Sequence, residues 1–225
     1  MGNGIFKYLD IVKESLLSII YVEDDKCVIC KSYIGEGYLC SKCEKRIKLC
    51  HGANSMHLNY MDFKYYSATY YSGNVMELIV RLKYKSDFVC GEILSGYMID
   101  KIKQERIPCD FLTYVPMRKK ALKKRGYNQS KCLAVNIGKK LDIPVVSVLK
   151  KVKDTKDQIG LNRNERWNNI KDSFKVTNEK KIKNKKIILV DDVITTGATA
   201  FSCYKELLRA GAEEINILTA AKSNV

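Results

Sequence analysis

Two adjacent carboxylates, Asp191 and Asp192, follow a four-residue apolar run at 187–190 and precede Thr195, Thr196, Gly197, Ala198 and Thr199. That order of residue types suits a sugar phosphate. Neighbouring acids accept hydrogen bonds from vicinal hydroxyls, and their charge favours a cationic sugar transition state. The threonine hydroxyls and exposed backbone N–H groups suit a phosphate, which the glycine lets approach the main chain. Buried acids are costly unless something binds them, so the pair is a candidate catalytic and ligand-binding site. A second group is Cys27-x2-Cys30, then nine residues, then Cys40-x2-Cys43. Four thiolates in two such knuckles make a tetrahedral zinc site, with Gly35 and Gly37 for the turns between them. With every position filled by protein, the metal is expected to be structural. Cys50, followed by His51, lies outside the quartet, either as a spare thiol or as the remnant of another knuckle.

Positioning the acids needs a strand before them and a helix after them. The run 187–190 reads as a buried strand, and 200–209 as a helix. Open parallel sheets bind ligands at that edge, where the helix dipole favours anions. Upstream, 1–26 reads as an amphipathic helix, with Phe6, Leu9, Val12, Leu16, Leu17 and Ile20 at helical spacing. Aromatic residues over 60–71 predict one or two strands. Helices are expected from Gly73, over 88–102, and over 128–141 with Asn128 as N-cap. Short strands are expected at 111–115, 145–149, 174–176 and 215–218, and the polar stretch 150–172 reads as a long loop. Alternating strands and helices imply an α/β domain with a mostly parallel sheet flanked by helices. The expected organisation is an N-terminal helix (1–26), a small four-cysteine zinc ribbon (27–55) and the α/β domain (56–225).

The 225 residues are 46% hydrophobic and 29% charged, as in an ordinary globular protein. Net charge is +15, with a pI near 9.3. That balance points to polyanionic partners or phosphorylated substrates, although a lysine-rich face can also be merely solvated. The nine cysteines, odd in number and partly in CxxC form, suit a reducing cytosol and metal better than a disulfide framework. No stretch approaches the roughly 20 apolar residues of a membrane helix, and 16–22 lacks a signal cleavage site, so a cytoplasmic protein without membrane insertion is expected. The cluster Arg118, Lys119, Lys120, Lys123, Lys124 and Arg125, closely followed by Tyr127, is the strongest candidate for single-stranded nucleic acid. Its cations would neutralise phosphates, and Tyr127 would stack a base unless it belongs to the core. The lysines between 180 and 186 read as a solvated turn.

The run ILVDDVITTGAT closely resembles the 5-phosphoribosyl-1-pyrophosphate (PRPP) motif of type I phosphoribosyltransferases. With LKY at 82–84, VPM at 115–117, RGYNQS at 125–130, Gln158, Leu161, Arg166 and Asn169, and the four-cysteine N-terminus, the chain resembles the ComF (ComFC) family of bacterial competence proteins. The resemblance implies a type I phosphoribosyltransferase-like fold. It implies that Asp191 and Asp192 hold the ribose hydroxyls of PRPP and that Thr195 to Thr199 hold its 5-phosphate. Met117, Arg118 and Lys119 would then lie where pyrophosphate binds, with Mg²⁺ carried mainly by PRPP. A lid over 150–172 would use Gln158, Arg163 and Arg166. The family also implies a part in DNA uptake during natural transformation, with single-stranded DNA and other competence proteins, such as a DNA translocase, as partners. Two functional expectations follow: a phosphoribosyltransferase whose acceptor is unknown, or a non-catalytic DNA-binding adaptor that keeps the fold as a scaffold or PRPP sensor.

Overall fold

The computed structural model describes residues 25–58, 61–153 and 173–223. The helix expected over 1–26, apart from its last two residues, lies outside this set, as do Gln158, Arg163 and Arg166. The chain forms two compact units that divide between Lys45 and Arg46.

The described part of the first unit, 25–45, is built mainly from turns. Its helix α1 (Ser41–Glu44) is a single turn, with the Cys40 sulfur accepting from the Cys43 N–H. Gly35 and Gly37 both take positive φ, +73° and +82°. Glycine adopts that conformation at little cost, which is how so short a segment turns back on itself.

In the second unit, β1 (Asn54–Leu58) and β2 (Met61–Tyr70) precede the helices α2 (Gly73–Tyr84) and α3 (Phe88–Glu105). Then follow β3 (Phe111–Tyr114), α4 (Lys119–Arg125), α5 (Gln129–Leu141), β4 (Leu149–Lys151), β5 (Phe174–Val176), β6 (Lys186–Ile194), α6 (Ala198–Arg209) and β7 (Glu214–Lys222). The main sheet has the order β1-β2-β7-β6-β3. Only the β1–β2 pair is antiparallel; the other three pairings are parallel. β4 and β5 form a separate antiparallel pair.

Helices cover both faces of the sheet, which explains why β6 is apolar without alternation: Ile187, Ile188, Leu189 and Val190 are all fully buried. On one face, Phe201, Cys203 and Leu207 of α6 join Phe63, Ile187, Leu189 and Ile217 in one core. On the other, α3 and α5 pack together and against the sheet, and α2 packs on α3. Adjacent residues of β3 split accordingly: Phe111 joins the α6 core, whereas Leu112 reaches toward Gly138 of α5.

Several boundaries differ from expectation. β6 does not stop before the acids. β7 supplies partners as far as Lys222, so the strand continues through Asp191 and Asp192 to Ile194. The strand expected at 145–149 falls at 149–151 instead, because the segment after Pro144 runs beside β3 with only an isolated bridge between Leu112 and Val145. The basic cluster forms a helix, α4, closed by Gly126 at φ +84°, whose N–H donates to the Leu122 carbonyl.

Candidate functional site

Chain direction does much to assemble the site. β3 and β6 run parallel and release the chain at the same end, and the Val115 N–H ties the end of β3 to the Val190 carbonyl at 3.0 Å. Asn128 fixes the next element. Its amide donates to the Val115 carbonyl at 3.0 Å, while its side-chain oxygen accepts from the Lys131 N–H at 3.2 Å, capping α5. That cap holds Ser130 over β6, where its hydroxyl donates to Asp191 Oδ1 at 2.9 Å. The same oxygen accepts the Asp192 N–H at 2.9 Å, and Asp192 Oδ1 accepts the Val193 N–H at 2.7 Å.

A cation completes the acid pair. Lys83, near the end of α2, places its Nζ 2.7 Å from Asp192 Oδ2. The end of α2 is held by Arg81, which donates through Nε and Nη2 to Asp87 Oδ2 at 3.1 and 2.6 Å. Asp87 is in turn the N-cap of α3, so the corner that presents Lys83 is clamped.

After the acids, the chain turns at Gly197 and enters α6. Gly197 has φ +73°, and a Cβ there would lie 2.3 Å from Met56 Sδ and 3.2 Å from Phe63 Cζ. Glycine is therefore required by β1 packing as well as by the turn. It is also the N-cap of α6, with no side chain bonded across the first turn. The helix start presents backbone amides, the arrangement that suits an anion.

These parts border one cavity of about 470 Å³. Its walls include Tyr71, Lys83, 115–117, 128–130 and 191–200. Asp191, Asp192, Met117 and all of Thr195 to Thr199 thus meet at one place. Arg118 and Lys119 are not among the lining residues: Arg118 caps α4 and Lys119 begins it, with its side chain exposed. Burial, and then the charge of Asp192, push the Asp191 carboxyl up to about 7, against the hydrogen bonds of the Asp192 N–H and Ser130. Burial pulls the Lys83 ammonium down, but Asp192 and behind it Asp191 more than offset that, leaving it above its ordinary value.

Lys83 and Ser130 lie within the LKY and RGYNQS motifs, yet nothing in their local sequence assigns them to the acids. Of the nucleic-acid candidates, Lys123 and Lys124 are exposed on α4. Arg125 is half-buried, donating to Gln129 Oε1 at 2.7 Å and lying over the Tyr84 ring at 5.2 Å. Tyr127 is half-buried edge-on against Phe88, with ring centroids 5.0 Å apart. Tyr84, under Arg125 of α4, is 65% accessible.

In the first unit, the sulfurs of Cys27, Cys30, Cys40 and Cys43 all lie within 4.8 Å of one another. Ligands about 2.3 Å from a tetrahedral zinc stand slightly under 4 Å apart, so the cluster is compatible with structural zinc. Cys50 is buried in the second unit, its N–H donating to the Ala68 carbonyl.

Residues 129–225 match the phosphoribosyl transferase domain family. Along its length, the chain is 29% identical to competence protein F of Haemophilus influenzae, covering 88% of this chain and 97% of that protein. It is also 27% identical to the DNA utilization protein YhgH of Escherichia coli, over 65% of this chain and 66% of that one. The allosteric regulatory enzyme of purine biosynthesis superposes on 58% of this chain and 25% of its own, with a TM-score of 0.40 and 19% identity. The chain has a type I phosphoribosyltransferase fold, and its matched domain makes it phosphoribosyltransferase-like. Among the described residues no helix is long and apolar enough to cross a membrane.

Proposed function

We propose that the cavity binds PRPP together with Mg²⁺, and that the protein acts in the bacterial cytoplasm during DNA uptake. One observation carries the ligand assignment: a buried acid pair and a glycine-capped helix start border the same cavity. Asp191 and Asp192 accept the ribose hydroxyls, and the 195–199 turn donates to the 5-phosphate. Met117 borders the leaving-group side, with Arg118 and Lys119 behind it on α4.

The donor set also bears on the metal. Two carboxylates suit a hard cation, but Lys83 already neutralises one of them, which fits an ion that arrives with its own anionic ligand. Bound in that way, Mg²⁺ neutralises the charge of pyrophosphate. The chain's own part is to orient the ribose and favour cationic character at its reacting carbon. The cysteine quartet holds one structural Zn²⁺, and the exposed lysines of α4 support a contact with single-stranded DNA.

Calorimetric titration with PRPP and Mg²⁺ tests the reading. Wild type is expected to bind, and the Asp191→Ala/Asp192→Ala variant to lose binding while staying folded. Absence of binding by wild type would overturn the ligand assignment. Release of pyrophosphate over many turnovers would establish transfer, and stoichiometric binding without release would make the site a sensor.

A further inference from the structure

The acid pair comes with a built-in counter-ion. Lys83 Nζ sits 2.7 Å from Asp192 Oδ2, its side chain 23% exposed and that of Asp192 only 7%. Two adjacent, largely buried carboxylates without a cation would repel each other and lose hydration, and they would recover by taking up a proton or a metal ion. Lys83 meets that need at Asp192, while Asp191 still stands raised by its burial. The lysine is also difficult to displace, because its helix end is clamped by Arg81 on Asp87 at 2.6 Å.

We propose that Lys83 is the residue that makes this cavity refuse a free divalent cation, so that metal enters only as a complex with an anionic ligand. The proposal rests on the reading of Asp191 and Asp192 as ligand-binding acids. It adds to that reading the residue that holds free metal off the acids. The physical ground is competition. A divalent ion approaching Asp192 meets an ammonium already at hydrogen-bond distance, and entering means either expelling it or enduring its repulsion at close range. A ligand carrying several negative charges changes the balance, because its own oxygens coordinate the metal and its charge attracts Lys83. Lys83 is thus a positioning and selectivity residue that acts through Asp192.

The experiment uses the full chain with zinc retained and Mn²⁺ alone as the probe, followed by electron paramagnetic resonance. Wild type should leave Mn²⁺ essentially free. Lys83→Met should bind one Mn²⁺ about tenfold tighter or better, since the uncompensated carboxylates recruit a cation. Adding Asp192→Asn to Lys83→Met should abolish that site, and Lys83→Arg should exclude Mn²⁺ as wild type does. Thermal melts of each variant separate a lost site from a lost fold, and Lys83→Arg keeps the test decisive if Lys83→Met unfolds. The proposal is overturned if wild type binds Mn²⁺ as tightly as Lys83→Met, if folded Lys83→Met leaves Mn²⁺ free, or if Lys83→Arg admits Mn²⁺ while folded. These readouts contain no PRPP, so failure of PRPP to bind would sink the ligand assignment without deciding this one.

Discussion

The two units each crowd groups that become anions, and they meet the problem by opposite means. In the first, four sulfurs lie within 4.8 Å of one another. Burial and the neighbouring sulfurs push the Cys43 thiol up to about 12, while hydrogen bonds from Ser32 draw Cys30 down to about 6. Thiols so unevenly poised become four thiolates only around an external cation. In the second, Lys83 supplies the counter-charge from within the chain, and the acid pair is assembled without help. Burial accounts for the contrast. Among the described residues 25–45 only Cys27 and Cys43 are buried, which leaves little with which to hold a long cationic side chain in place, and small domains with so little core commonly depend on metal. The larger unit can clamp α2 at its Arg81–Asp87 corner and present a lysine with definite geometry.

The contrast breaks most sharply at the metal. Replacing Cys27 and Cys30 by serine should abolish zinc uptake and unfold the first unit, because structural zinc supplies apparent free energies on the order of 10 kcal/mol. The second unit should retain its fold. Hydrogen exchange resolves the two, and protected amides across 27–43 in the zinc-free double variant would refute the dependence on metal. The next largest effect belongs to Gly197. Alanine there would bring a Cβ within 2.3 Å of Met56 Sδ at a φ of +73°, so a loss of about 2–4 kcal/mol is expected. Met56→Ala should recover the steric part and leave the backbone part, a difference that a double-mutant cycle reads directly.

Asp191 sharpens the comparison through pH. Its carboxyl is raised to about 7 in the fold, first by burial and then by Asp192. A raised acid pKa means that the folded state holds a proton which the unfolded state has already lost above about pH 4. Stability from this group therefore falls as pH rises from about 4 to 7 and levels off above the folded value. Asp191→Asn should remove that slope and stabilise the ligand-free protein at pH 8.5 by on the order of 1–3 kcal/mol, with a smaller gain, about a third of that, at pH 5. It should weaken PRPP binding at the same time. Melting curves at the two pH values decide it, and an equal shift at both would contradict the account.

What is legible in the sequence follows from how locally each feature is encoded. The acids, the 195–199 turn and the four cysteines are contiguous or nearly so, and their chemistry can be read from spacing alone. Lys83 and Ser130 reach the acids only because α2 packs on α3 and α5 on the sheet, and no local spacing records that. α4 is hidden for another reason: none of its residues is buried, so it has no apolar period to betray a helix. The extension of β6 through Asp191 and Asp192 escapes a reading by pattern because acids usually end a strand. Here Ser130 and backbone N–H groups bond one oxygen of each acid inside it, and Lys83 balances the charge at Asp192 Oδ2.

The smallest expected effect lies on α4, where charge can be separated from structure. Lys123 and Lys124 are exposed, and their replacement by glutamine should leave stability within about 0.5 kcal/mol. If they neutralise backbone phosphates of single-stranded DNA, affinity falls and the dependence of log K on log salt becomes shallower by about 0.7 for each phosphate no longer neutralised. An unchanged slope would remove them from the interface. Arg125 is a poorer probe, because its bond to Gln129 and its place over Tyr84 mix folding with charge. The aromatics divide in the same way. Tyr84 keeps 65% of its surface accessible beside Arg125, whereas Tyr127 already packs against Phe88, so Tyr84→Ala should lower DNA affinity with little loss of stability and Tyr127→Ala should do the reverse.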